Sequence, residues 1–125
     1  MQFKGFIPVI DCTEIEPLLN FYQQAFRYVV INRTETDQGL QWVHLKSDET
    51  YLMLRKRTTR GSDECATDNI LLYYYTDDVD AQYRFMQARG FKLSALSETP
   101  YGMKEFFLCD PEGNRLGVGE RSGVT

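Results

Sequence analysis

The chain has 125 residues, 42% hydrophobic and 26% charged, with a formal net charge of −4 and a pI near 5.0. That length supplies one domain, or two small modules sharing a core. The acidic balance disfavours nucleic acid as a partner, because phosphate binding needs a basic face, and no apolar run approaches the ~20 residues of a membrane-spanning helix.

Aromatic residues are the compositional deviation, at 8 Tyr, 8 Phe and 1 Trp. They fit an aromatic-lined pocket or a Phe/Tyr-rich β core. The three cysteines, Cys12, Cys65 and Cys109, form no C-x-x-C pair. This is the usage of reduced thiols and leads us to expect a cytoplasmic protein. The segment from Met1 to Gly5 lacks the apolar core of a signal peptide. Cys65 falls in a polar loop, where a reactive and an inert thiol are both consistent.

In chain order, Gly5–Cys12 is a short β run in which Pro8 suits an edge. Thr13-Glu14-Ile15-Glu16 reads as a capping box, and Ile15, Leu18, Leu19, Tyr22 and Phe26 recur at helical spacing, predicting a helix over 14–26. Strands follow at Tyr28–Arg33, Leu40–Lys46 and Tyr51–Lys56, separated by turns at Thr34–Gly39 and Ser47–Thr50. A mixed-charge linker spans 57–68. Asn69–Thr76 is an aromatic-rich strand. Asp77 or Asp78 caps a helix over 79–89, with Val79, Tyr83, Met86 and Phe85 as its apolar residues, and Gly90 ends it as a left-handed residue. Phe91–Leu96 is a predicted strand and Ser97–Gly102 a loop. Glu105–Cys109 and Arg115–Glu120 form a hairpin around the turn Asp110-Pro111-Glu112-Gly113-Asn114, since Pro presets φ and Gly takes positive φ.

Each half thus reads β-α-β-β-β, a repeat of roughly 60 residues without evident identity. The fold expected is α+β: module one over about 5–56, the linker, and module two over about 69–120, within one domain. Strand alternation assigns aliphatic residues to a helix-covered face and a mixture of aromatic and charged residues to the other, which would serve as a concave binding face.

Three segments then resemble a known family. Ile7-Pro8-Val9-Ile10 with Leu18-Leu19-Asn20-Phe21-Tyr22 is similar to the opening strand and helix of the glyoxalase/bleomycin-resistance group of the vicinal oxygen chelate superfamily. Tyr75-Thr76-Asp77-Asp78-Val79-Asp80-Ala81 resembles its second strand-to-helix junction. Tyr101-Gly102-Met103-Lys104-Glu105-Phe106, with Asp110–Asn114 after it, resembles the hairpin of the bleomycin-resistance-like branch. The resemblance spans about 7–120. It implies paired βαβββ modules forming a barrel-like sheet, a ligand cleft and a homodimer. In many members four His or Glu side chains hold a divalent metal. The matching positions here fall at Ile7, near Met53, near Leu71 and at Gly117, and none of these residues ligates a hard or borderline metal. The expectation is a protein with no cofactor that binds a small molecule, with metal-dependent catalysis (glyoxalase-like lyase or extradiol dioxygenase) as the alternative.

The candidate binding residues are Trp42, His44, Tyr51, Met53, Arg55, Tyr73, Tyr75, Glu105, Arg115 and Gly117. Trp42, Tyr51, Tyr73 and Tyr75 offer stacking surfaces or simple core packing. His44 is a polar contact, a general base or a structural histidine; no catalytic residue is assigned. Arg55, Arg115 and Glu105 offer polar contacts or ion pairs between strands. Asp11 shares the cleft parity and also lies beside the first helix start. Gly117 and Gly119 would leave room for a ligand or mark sheet closure.

Overall fold

The computed structural model describes residues 2–57 and 70–122. Much of the 57–68 linker, Cys65 included, lies outside them. The chain divides into two compact units, 1–64 and 65–125. Among the described residues each carries one four-stranded mixed sheet and one helix, and neither helix is long and apolar enough to cross a membrane.

Unit one runs β1 (Val9–Cys12), α1 (Ile15–Phe26), β2 (Val29–Thr36), β3 (Gly39–Ser47) and β4 (Thr50–Lys56), with sheet order β1-β4-β3-β2. β1 lies parallel to β4, and the other two pairs are antiparallel. The first strand is shorter than predicted. Residues 2–8 have no regular structure and Phe6 is 87% exposed, although Met53 N–H still donates to the Pro8 carbonyl at 3.0 Å. The N-cap is Glu14, one residue beyond the Thr13 of the predicted capping box, in extended geometry and without a cap from its own side chain. α1 is held instead by its apolar face. Ile15, Leu18, Phe21, Tyr22, Ala25 and Phe26 are buried, each large side chain contributing ~1.5–3 kcal/mol. Val43, Leu45, Leu52 and Leu54, from the two central strands, are buried too.

Unit two runs β5 (Leu71–Tyr75), α2 (Val79–Ala88), β6 (Ser97–Glu98), β7 (Met103–Cys109) and β8 (Arg115–Arg121), with sheet order β5-β8-β7-β6. Asp78 caps α2 by accepting from Ala81 N–H at 3.0 Å, while Glu120 of β8 accepts from Val79 N–H at 2.9 Å. Gly90 follows α2 with φ 87°, as its position predicted.

Phe91–Leu96 is not a strand. Ser94 bonds to β7 twice: its N–H donates to the Phe107 carbonyl at 2.9 Å and its Oγ accepts from Phe107 N–H at 2.8 Å. A side chain thus takes a donor that a backbone ladder would have used, and regular pairing begins only at Ser97. The Asp110–Asn114 turn forms as read, with Gly113 at φ 86°. Asp110, 4% exposed, accepts from Glu112 N–H, Asn114 N–H and Asn114 Nδ2 at 2.9 Å each. The hydrogen-bond ladders make two separate sheets rather than one closed barrel.

Candidate functional site

Strand alternation builds one mixed face per unit. In unit one, Val43, Leu45, Leu52 and Leu54 take the buried side, so Trp42, His44 and Lys46 of β3 share the other with Tyr51, Met53 and Arg55 of β4. Register sets Trp42 beside Arg55, His44 beside Met53 and Lys46 beside Tyr51. The His44 ring centroid stands 6.0 Å from Trp42 and 5.8 Å from Tyr51. Its Nε2 is buried without a hydrogen-bond partner, a state that costs about 1–3 kcal/mol. Five sequence-predicted residues, Trp42, His44, Tyr51, Met53 and Arg55, are therefore on one face. Arg55 is engaged on the edge of that face: it donates to both Asp11 oxygens, at 2.7 and 3.2 Å. The hydrogen bond to Asp11, reinforced by its charge, raises the guanidinium above its ordinary pKa. The pair is exposed and contributes little to stability.

In unit two the mixed face carries Tyr73, Tyr75, Glu105, Phe107, Gly117 and Gly119, with Tyr73 opposite Gly117 and Phe107 beyond it, and Tyr75 opposite Gly119 and Glu105 beyond it. The two glycines do not leave room for a ligand, one of the two roles the sequence allowed them. A Cβ on Gly117 would lie 2.8 Å from Tyr73 Cδ1 and 2.9 Å from Phe107 Cε1. A Cβ on Gly119 would overlap Tyr73 Oη and lie 2.7 Å from its Cζ. The Tyr73 ring lies across both glycines, occupying the space their side chains would take.

That placement has a polar consequence. Tyr73 Oη donates to Glu105 Oε1 at 2.7 Å, and Tyr101 Oη donates to Glu105 Oε2 at 2.9 Å. Glu105 is 4% exposed, whereas Tyr101 is 67% exposed. Tyr101 sits at the tip between β6 and β7. Thr99 N–H bonds to Met103 O at 2.8 Å and Ser122 N–H to Gly102 O at 2.8 Å, which pins the tip. Burial, then the hydrogen bond to Glu105, holds the Tyr73 phenol far above the usual range, with its charge and those of Tyr101 and Tyr75 adding to the effect. The bond to Glu105 is also the main reason that Tyr101 is raised. Sequence reasoning missed Tyr101 and Phe107. The one available signal was the spacing of Tyr101, four residues before Glu105 across Gly102.

Arg115 does not join this group. It lies beside Leu71 and Cys109, and its Nη2 reaches the Ile70 carbonyl at 3.5 Å. An Arg115–Glu105 pair is excluded by register, because Glu105 faces Gly119.

The metal positions implied by the resemblance do not fit a metal ion. Ile7 precedes β1, Met53 faces Val9, and Leu71 faces Arg115. Tyr73, not Leu71, stands opposite Gly117, where the tyrosine ring fills the space a ligating side chain would need. Among the described residues no group of three or more His, Cys, Asp or Glu side chains is placed to hold a metal.

Many solved structures share the fold. TnmS3, an antibiotic-binding protein from Streptomyces sp. CB03234, superposes with a TM-score of 0.75 at 21% identity, covering 98% of this chain and 99% of its own. A bleomycin-binding protein complexed with bleomycin gives 0.72 at 17% identity, covering 94% and 98%. A lactoylglutathione lyase from Agrobacterium tumefaciens gives 0.74 at 19% identity, covering 99% and 100%. At these identities the likeness is one of fold, shared by binder and enzyme alike. No curated protein sequence matches the chain significantly. The family model described as Glyoxalase/Bleomycin resistance protein/Dioxygenase superfamily matches residues 9–118, and the chain, with its two β-α-β-β-β units, belongs to that superfamily.

Proposed function

We propose that the chain is a metal-free small-molecule-binding protein that sequesters a planar aromatic or cationic ligand, such as an antibiotic. The observation that carries this reading is the filled space above Gly117: a metal-binding relative needs a ligating side chain there, and here Tyr73 and Phe107 take the room. Two further features support it. Trp42, His44 and Tyr51 present clustered rings on one sheet face with an unpartnered Nε2. Relatives of this fold include proteins named for binding antibiotics. In this reading the chain is one domain, acts as a cytoplasmic homodimer, and offers a ligand two candidate surfaces, the face of unit one with Trp42, His44, Tyr51 and Met53 and the face of unit two with Tyr73, Tyr75 and Glu105.

Elemental analysis of untreated protein, paired with thermal-shift screening against aromatic and glycopeptide antibiotics, tests it. The expected result is no stoichiometric Zn, Ni, Fe or Mn, together with a stabilising ligand; at a hundredfold excess over Kd that stabilisation is about 2.7 kcal/mol. Stoichiometric metal with lyase or dioxygenase turnover overturns the reading in favour of an enzyme. Sedimentation equilibrium tests the dimer.

A further inference from the structure

The carboxylate of Glu105 is unusual for its surroundings. It is 4% exposed, and a buried carboxylate is ordinarily paired with a cation or a metal. Here both of its oxygens accept from neutral phenols, Tyr73 at 2.7 Å and Tyr101 at 2.9 Å. Among the described residues no cation is bonded to it. Its neighbour Lys104 takes the opposite strand parity and is engaged by Asp80 of α2 at 3.0 Å. The surroundings of Glu105 are rings. Tyr73 and Tyr75 meet edge to face at 5.2 Å, Tyr75 is 74% exposed, and the Tyr101 ring stands 67% exposed at the hairpin tip. A carboxylate bonded by two tyrosine hydroxyls, with exposed rings nearby, offers a charge-assisted acceptor beside aromatic surface.

We propose that Glu105, Tyr101, Tyr73 and Tyr75 form a subsite for an alkylammonium group of the ligand, whose N–H replaces the Tyr101 hydroxyl on Glu105 Oε2. Tyr101 is the displaceable partner because its ring is exposed. Tyr73 stays, because it is packed across Gly117 and Gly119. The inference rests on the ligand-binding reading above and names the chemistry that the site selects.

The test is an NMR titration of the full chain with benzylammonium and benzyl alcohol, which have the same ring and a similar reach and differ in charge. Benzylammonium is expected to bind at least about tenfold tighter, because both probes donate to the carboxylate and only the ammonium adds an opposite charge to it, with shifts at the Glu105, Tyr101 and Gly119 amides. In Glu105→Gln the two probes are expected to bind within about twofold of each other, since the charge that separates them is gone. Tyr101→Phe, a change at an exposed side chain, keeps the ring and removes the competing hydroxyl. It is expected to bind benzylammonium ~3-fold tighter, one modest hydrogen bond being released. Equal binding of the two probes by the unmodified chain, a charge preference that survives in Glu105→Gln, or unchanged or weaker binding by Tyr101→Phe overturns the subsite. A chain that binds flat neutral aromatics without preferring the cation loses this subsite and keeps the binding reading; a chain that binds neither loses both.

Discussion

Gly119→Ala isolates the contact on which the unit-two site depends. Gly119 does not have positive φ, so the substitution is not opposed by backbone conformation. By itself it would stabilise by about 0.4–1 kcal/mol through the unfolded chain. The new methyl, however, overlaps Tyr73 Oη and lies 2.7 Å from Cζ, while the third neighbour, Met103 Cε at 3.1 Å, is a flexible chain end that can move. Tyr73 cannot yield without giving up its 2.7 Å bond to Glu105. Losing a hydrogen bond to a charged group costs about 1.5–3 kcal/mol, and overpacking adds about 1–3 kcal/mol. The net expected destabilisation is about 2–4 kcal/mol, or roughly 10 °C in Tm for a chain of this size. Urea unfolding of the parent, Gly119→Ala, Tyr73→Leu and the double variant closes a mutant cycle. In the Tyr73→Leu background the methyl has space, and the same substitution is expected to cost less than about 1 kcal/mol. If Gly119→Ala is neutral with Tyr73 present, or costs the same in the Tyr73→Leu background, the argument that Tyr73 lies across the glycines fails.

Asp110→Ala removes a buried acceptor of three 2.9 Å bonds and is expected to cost ~2–3 kcal/mol by urea denaturation. Ultraviolet titration should find Tyr73 and Tyr101 ionising above the ordinary tyrosine range, Tyr73 being raised by burial and then by Glu105, and Tyr101 chiefly by Glu105. Because the folded state holds those protons more tightly than the unfolded chain, the associated stability is complete below the ordinary tyrosine pKa of about 10 and is lost as pH rises through the folded values. Stability that rises above that pKa would contradict this. Iodoacetamide should alkylate native Cys109, which is exposed, while Cys12, fully buried, should react only on unfolding; peptide mass mapping reads both.

The repeated β-α-β-β-β order was legible because its signals are local. Ile15, Leu18, Tyr22 and Phe26 mark one face of a helix, Val43 and Leu45 one face of a strand, and Asp110–Asn114 a turn whose side chain bonds its own backbone. Errors arose where a local signal met a competitor. Thr13 and Glu16 spell a capping box, and the N-cap falls one residue beyond Thr13, at Glu14. Phe91–Leu96 has the composition of a strand, but Ser94 satisfies the Phe107 amide with its own hydroxyl, so the ladder starts beyond it.

The candidate site was legible as a set of residues on two mixed faces, and alternation alone selected Trp42, His44, Tyr51, Met53, Tyr73, Tyr75 and Glu105. What each residue does was not legible. Gly117 read either as an opening, because glycine lacks a side chain, or as a mark of sheet closure; in the fold the missing atoms are replaced by the ring of Tyr73, far earlier in the chain. Family membership, the paired units and the lack of ligating side chains at the four matching positions were determined by the sequence, since identity and period 2 or 3.6 need no partner. Only the tertiary structure decided that Tyr73 faces Gly117, that Glu105 is buried between two phenols, and that Arg115 is out of reach. Those depend on strand register, which a single residue's slip would reverse and which packing across the whole sheet sets.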